Sequence, residues 1–422
     1  MTERVPVLVA AAGADWETDA LERIGRGSPA VVLQRRCVDL PDLLATAGTG
    51  LAAVAVVGGS LPGLDADSVA SLRRAGVGVV LVATPAELEV HGERWRRFGI
   101  EHLVSTGGLD GLVNAIDVAA SPAGVVPSDD AVPGGEDLVR PEGGRLTAVW
   151  GPAGAPGRTT VAVGLATELA RRGRATLLVD ADPYAGAVAQ HLGVLDEMSG
   201  LLAAARLANG GRLDSEALVR LARDVHGLRV LTGLPRADRW VEVRPAAFDQ
   251  LLDVAAELAE HVVVDVGFSL EGTGDSFGTG APGRNQMTLG TLERADEVVV
   301  VGAADPVGLA RLARGLVDVA NAAPDAQVRV VVNRCRSSLG WGEREIRGMV
   351  EGFVAPSGVH FLPEDRDGAD RALMAGSSLV EAGDSALGRA VSGLAGALLG
   401  EPARATRRGG PLRGRRQAPK SR

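Results

Sequence analysis

The sequence predicts an α/β protein made of two doubly wound parallel-sheet domains, and three observations predict it. Short apolar runs alternate with amphipathic helical stretches along most of the 422 residues, the pattern of βαβ units in a buried parallel sheet. That alternation stops over residues 121–144, SPAGVVPSDDAVPGGEDLVRPEGG, which is rich in Pro, Gly and acids and has no periodicity. The length itself suits two or three domains at roughly 150 residues each. The expected division is residues 1–120, a linker over 121–144, a second domain over 145–400, and a basic tail over 401–422.

Composition narrows the class. Hydrophobic residues make up 46% and charged residues 23%, values that allow a real core, while aromatics at 3% mean that Val, Leu and Ala must build it. No apolar run approaches the roughly 18 residues of a membrane helix. Residues 1–12 lack a basic leader and pass straight into a strand-like VPVLVAA, which is not a secretory signal. Two cysteines, Cys37 and Cys335, make neither a disulfide framework nor a metal cluster, so the expected compartment is the cytoplasm. The net charge of −9 is uneven. Residues 403–422 hold eight basic residues and no acid, leaving −17 on the rest, and a nucleic-acid-binding body is not expected on that balance.

In the first domain the candidate strands are residues 5–11, 30–33, 51–57, 79–83 and 102–105, and residues 68–76 and 85–98 read as amphipathic helices. Five strands joined by crossovers imply a parallel sheet with helices on both faces. This pattern resembles the receiver domain of response regulators. The resemblance implies a phosphoacceptor Asp after the third strand, acidic metal ligands after the first and a Lys after the fifth. Here the third strand runs into Gly58-Gly59-Ser60 and the fifth into Ser105-Thr106-Gly107; only Thr84, after the fourth, fits. Without a carboxylate there is no nucleophile for phosphoryl transfer. The domain reads as a pseudo-receiver that binds a partner or packs on the second domain, with a purely structural α/β domain as the alternative.

The second domain opens with the strand RLTAVW at Arg145, the turn GPAGAPGRTT, and a helix with Val161, Leu165 and Leu169 on one face, closed by Gly173. Further strands are expected at 175–179, 228–231, 262–266, 297–301, 328–332 and 360–362. A glycine-rich turn between strand and helix lets backbone N–H groups converge on an anion, and the helix N-terminus adds its positive dipole end. Gly151, Gly154 and Gly157 supply such a turn, and Thr159 sits where a hydroxyl would hold Mg²⁺. The strict G-x-x-x-x-G-K-[ST] pattern departs at Pro152 and at Arg158. Asp180 and Asp182 follow the second strand, Asp265 ends the run HVVV, and Asn333 and Arg334 end VRVVV. All lie at carboxyl ends of strands, where open α/β sheets bind ligands. Each also has a plain structural reading: helix caps for Asp180 and Asp182, a turn residue for Asp265, a loop starter for Asn333.

In this order the motifs resemble the MinD/ParA superfamily of deviant Walker A ATPases, and among them CpaE-like proteins, which carry a pseudo-receiver before the ATPase domain. The resemblance runs from residue 5 to about residue 400 and includes LPEDRDGADRALMAGSSLVEA at 362–382, similar to the family's IPED-type turn and helix. It implies ATP and Mg²⁺ as ligands. Gly154, Ala155, Pro156, Gly157, Arg158, Thr159 and Thr160 would line the phosphates, Arg158 also supplying charge for hydrolysis. Thr159 would bind Mg²⁺ with Asp180 and Asp265 behind it, Asp182 would position water, and Asn333 and the backbone after Pro363 would contact adenine. It further implies an ATP-dependent homodimer that positions a pilus, secretion or division machine. A non-hydrolysing adaptor and a ParA-type partitioning ATPase are the alternatives.

Two departures bear on hydrolysis. The family's dimer-bridging lysine aligns with Ala153 and its phosphate lysine with Arg158, a longer, planar, fork-shaped cation. Lys420 is the only lysine among 44 basic residues, so Arg158 fits a chain-wide exchange; Ala153 does not. The glycine-rich loop 268–287 reads as a nucleotide-sensing switch and partner surface or as plain flexibility. Residues 386–399 read as a last core helix. The tail beyond Pro402 lacks an apolar face and could touch an anionic membrane only electrostatically, a solvated tail being the simpler expectation.

Overall fold

The computed structural model describes residues 4–27, 31–120, 143–154, 157–184, 186–194, 198–272 and 283–401. Most of the expected linker, Ala155 and Pro156, residues 273–282 of the switch loop, and the tail from residue 402 lie outside the described residues.

The N-terminal domain runs β1 (Val5–Ala10), α1 (Trp16–Gly27), β2 (Val31–Arg36), α2 (Leu40–Ala47) and β3 (Val54–Gly58). It continues with α3 (Ala66–Arg74), β4 (Gly78–Ala83), α4 (Pro85–Arg97), β5 (His102–Ser105) and α5 (Leu112–Ala119). The five strands pair in parallel in the order β2-β1-β3-β4-β5. Helices cover both faces, so β3 is buried at every position and reads as an unbroken apolar run. It begins at Val54 rather than residue 51, because Leu51 projects into solvent. The residues that follow β3 and β4 are closely packed or cap a helix. A Cβ on Gly59 would meet the Trp95 ring at 2.7 Å, and one on Gly58 the Trp16 ring at 3.3 Å. Thr84 caps α4: its hydroxyl accepts from the Glu87 N–H at 3.2 Å, and Glu87 accepts from the Thr84 N–H at 2.8 Å.

The second domain runs β6 (Arg145–Trp150), α6 (Arg158–Arg171), β7 (Thr176–Ala181), α7 (Val188–His191), α8 (Gly200–Asn209) and α9 (Ser215–Leu221). Then come β8 (Arg223–Val225), β9 (Leu228–Leu231), α10 (Pro245–Leu258), β10 (His261–Val266), α11 (Gln286–Arg294) and β11 (Glu297–Ala303). Last are α12 (Pro306–Ala322), β12 (Gln327–Cys335), α13 (Glu343–Glu351), β13 (Gly358–Pro363), α14 (Arg366–Ala375) and α15 (Ala386–Leu398). The sheet order is β13-β12-β11-β6-β10-β7-β9-β8, parallel except for the short edge strand β8. Side chains alternate across it. Leu146, Ala148 and Trp150 face the layer of α8, α10, α11 and α12, while Val149 faces α6 and α15. At the amino ends of the strands Glu297, wholly buried, accepts from Arg329 Nε at 2.5 Å and Arg145 Nη2 at 2.9 Å, tying β6, β11 and β12 together.

The two domains touch through α3 and α10. Helix α10 starts Arg244-Pro245 and has no capping side chain of its own. Asp67 of α3 fills the role, accepting from the Ala246 N–H at 2.7 Å, and Arg244 pairs with Asp65. Arg97 adds a bond to the Gly211 carbonyl at 2.7 Å. Among the described residues no helix is long and apolar enough to cross a membrane.

Candidate functional site

The site grows from the turn between β6 and α6. Gly154 (φ +74°) and Gly157 (φ +98°) hold left-handed conformations that only glycine adopts cheaply. Helix α6 has no side-chain cap, so its first N–H groups are left for another acceptor. The loop is closely flanked at both ends. A Cβ on Gly157 would strike Asn333 Nδ2, and one on Gly154 would strike Arg311 Nη1.

At the second residue of α6, the Thr159 hydroxyl donates to Asp265 Oδ2 at 2.6 Å. Asp265 is 1% exposed, and its Oδ1 has no partner among the described residues. Parallel register sets Asp180 on β7 directly beside Asp265 on β10. Burial pushes both carboxyls well above the ordinary carboxylate range; the charge of Asp180 pushes Asp265 further, and the Thr159 hydrogen bond opposes it. Two glycines make room for Asp180, since a Cβ on Gly233 would lie 2.8 Å from both its oxygens and one on Gly186 2.9 Å from Oδ1.

Asp180 accepts from the Val188 N–H at 3.1 Å and the Asp182 N–H at 3.3 Å, so it does cap the short α7. Asp182 accepts from the Tyr184 N–H at 2.8 Å through one oxygen and from Arg158 Nη2 at 3.3 Å through the other. Arg158 also donates to the Gly151 carbonyl at 3.0 Å, and so lies folded back over its own loop. Asn333 accepts the Arg334 N–H at 2.8 Å, with Arg334 at φ +59°. Pro363 closes β13 next to Cys335, two residues on from Asn333.

Thus Gly154, Gly157, Arg158, Thr159, Asp180, Asp182, Asp265 and Asn333 gather at one end of the sheet, and the register places Pro363 at its edge. Three contributors carry no sequence motif. The Tyr184 hydroxyl donates to Asn285 at 2.8 Å, and Asn285 donates to Ser269 at 3.0 Å and to the Glu271 carbonyl at 2.8 Å. Those bonds lace the segment after Asp265 to the turn after Asp182. Arg311 of α12 donates to the Ala153 carbonyl at 3.2 Å. Tyr184 is the chain's only tyrosine, the one available signal; Asn285 and Arg311 gave none.

A glycine turn feeding an uncapped helix, with a first-turn hydroxyl bonded to a strand-end carboxylate, defines the class of P-loop folds. More particularly, the C-terminal domain has the MinD/ParA-type P-loop ATPase fold, with a parallel α/β domain added before it. The chain is similar to a ParA family ATPase from Chlorobium tepidum TLS at 19% identity, over 60% of this chain and 98% of that one, with a TM-score of 0.51. It is also similar to the cell division ATPase MinD of Pyrococcus furiosus at 20% identity, over 61% and 99% of the two chains, with a TM-score of 0.49. A third solved structure is the septum site-determining protein MinD of Pyrococcus horikoshii OT3, complexed with Mg-ADP, at 18% identity over 60% and 95%, with a TM-score of 0.48. No protein-family model and no curated protein sequence matches the chain.

Proposed function

We propose that this protein is an ATP·Mg²⁺-binding switch of CpaE-like type, in which residues 1–120 form the pseudo-receiver and residues 145–400 the nucleotide domain. The observation that carries the reading is the Thr159–Asp265 hydrogen bond at the mouth of an uncapped helix. The residues fit the ligand: two left-handed glycines leave a cradle, and Asp265 keeps an orphaned buried oxygen beside a hydroxyl placed for a cation. Among the described residues no three His, Cys, Asp or Glu side chains group to hold a metal alone. A Mg²⁺ here would therefore take most of its oxygens from phosphate and water, which is its habit in phosphoryl-transfer sites.

In this reading Gly154 through Thr160 line the phosphates, Ala155 and Pro156 by position, with every residue but Pro156, which has none, offering a backbone N–H, and Arg158 swings from Asp182 onto them. Thr159 holds the cation, Asp180 and Asp265 fix it, and Asp182, released, orients water. Asn333 and the backbone after Pro363 hold the adenine. ATP would favour a homodimer, with the protein partner taken by the pseudo-receiver or by the segment 268–287. A cytoplasmic placement, with the tail touching anionic lipid, and the positioning of a pilus, secretion or division machine belong to the same proposal.

Two observations favour a second reading, a non-hydrolysing adaptor: Arg158 is already spent on Asp182 and the Gly151 carbonyl, and residue 153 is alanine. Calorimetric titration of ATP·Mg²⁺ into the full chain, with Arg158→Ala beside it, tests the first reading. Binding that the substitution abolishes supports the switch; no binding in either protein sinks it. Light scattering with ATP and with ADP then separates switch from adaptor, a mass increase in ATP alone being the switch's signature.

A further inference from the structure

Arg311 is where the proposed site can be taken further. Helix α12 is fixed against the loop by packing. Gly315 lets it lie on the Trp150 ring, where a Cβ would come within 2.9 Å. One turn earlier on the same helix Arg311 reaches the loop, donating to the Ala153 carbonyl and lying over Gly154. The carbonyl occupies one N–H of a guanidinium that has five. The residue is exposed, and it lines a cleft of about 320 Å³ between α12, the loop and residues 268–271. At the base of that cleft the Trp150 indole N–H is buried without a partner among the described residues.

Charge makes the position consequential. Asp182 is paired with Arg158, the loop's own cation, and the buried carboxyls of Asp180 and Asp265 lie side by side behind the Thr159 hydroxyl. A polyphosphate brings several more negative charges to that place, and phosphoryl groups are held by matching cations. Direction follows from the two flanks. Asn333 abuts the loop at Gly157 and Arg311 abuts it at Gly154, so a nucleotide with its base beside Asn333 runs its phosphate chain toward Arg311.

We propose that Arg311 is a phosphate-binding residue that contacts the terminal phosphate of a bound nucleoside triphosphate and so distinguishes triphosphate from diphosphate. This rests on the nucleotide reading above. Helix α12 thus gives the loop a second cation beside its own Arg158.

The test is calorimetric titration of ATP·Mg²⁺ and ADP·Mg²⁺ into the full chain, its Arg311→Ala and Arg311→Gln variants, and Arg220→Ala, an exposed arginine outside the cleft, as a control. Arg311→Ala should weaken ATP about ten-fold or more and leave ADP within about two-fold, with Arg220→Ala unchanged. Arg311→Gln keeps a donor for the Ala153 carbonyl without the charge. It should show the same split, and it decides the matter if the alanine variant does not fold. Equal weakening of ATP and ADP in both variants would reduce Arg311 to a loop anchor and overturn the proposal. Unchanged ATP affinity would overturn it while leaving the nucleotide reading intact. A parent protein that binds neither nucleotide would remove both.

Discussion

Gly157→Ala probes the loop where its backbone and its neighbour are both constrained. The residue holds φ +98°, ψ 16°, and its missing Cβ is the space occupied by the Asn333 side-chain amide. Forcing alanine into the left-handed region costs about 1–2 kcal/mol. Displacing Asn333 also breaks the hydrogen bond it accepts from the Arg334 N–H, about 1 kcal/mol more. The C-terminal domain should therefore lose about 2–3 kcal/mol in urea unfolding followed by tryptophan fluorescence. In an Asn333→Ala background the steric part is gone, and the same substitution should cost only about 1–2 kcal/mol. That difference is the coupling between loop and strand end. ATP·Mg²⁺ affinity should fall at least about 30-fold, since the N–H groups that converge on the anion are shifted. If Gly157→Ala is destabilised by less than about 0.5 kcal/mol, or equally in both backgrounds, the close approach of Asn333 is not what demands glycine there.

Three further outcomes follow from the same geometry. Glu297→Ala leaves Arg329 buried and uncompensated at the foot of the sheet and should cost about 3–5 kcal/mol in urea unfolding, with Glu297→Gln milder. Asp67→Ala removes the cap that one domain lends to the other; a stability loss of about 1 kcal/mol and faster hydrogen exchange of the Ala246 amide should appear together. His360 is held down to about 4 by burial and by the neighbouring Arg329 and Arg347, against about 6.5 in an unfolded chain. The unfolded chain takes the proton first, so stability is full above about pH 6.5 and is lost as pH falls toward 4. With partial exposure discounted the loss is about 1–2 kcal/mol. It should be smaller in His360→Gln when urea midpoints at pH 7 and pH 5 are compared.

The layout was legible because each central strand is buried on both faces and writes itself as an unbroken apolar run, β3, β10 and β11 above all. Strand β8 was not, since its three residues are an exposed edge with no pattern to show. Boundaries slipped where the chain leaves the core: the strand expected at 30–33 runs on to Arg36 through residues open to solvent. At the site, residues that end strands or open a glycine turn could be found, because position relative to an apolar run betrays them. Arg311 could not. It lies within a regular amphipathic helix, and only packing brings that helix to the loop. Asp67 lay just ahead of the helix expected at 68–76 with no pattern to mark it, and the helix whose start it completes is a domain away.

That last pairing has a consequence for how the chain is made. Asp67 precedes Ala246 by 179 residues, which a ribosome takes on the order of 10–40 s to synthesise. The N-terminal domain can thus complete its sheet long before α10 emerges, and the later helix meets a finished surface that already carries its cap. A chain refolded from denaturant has no such order and must find the two ends together, so its α3–α10 contact should form last.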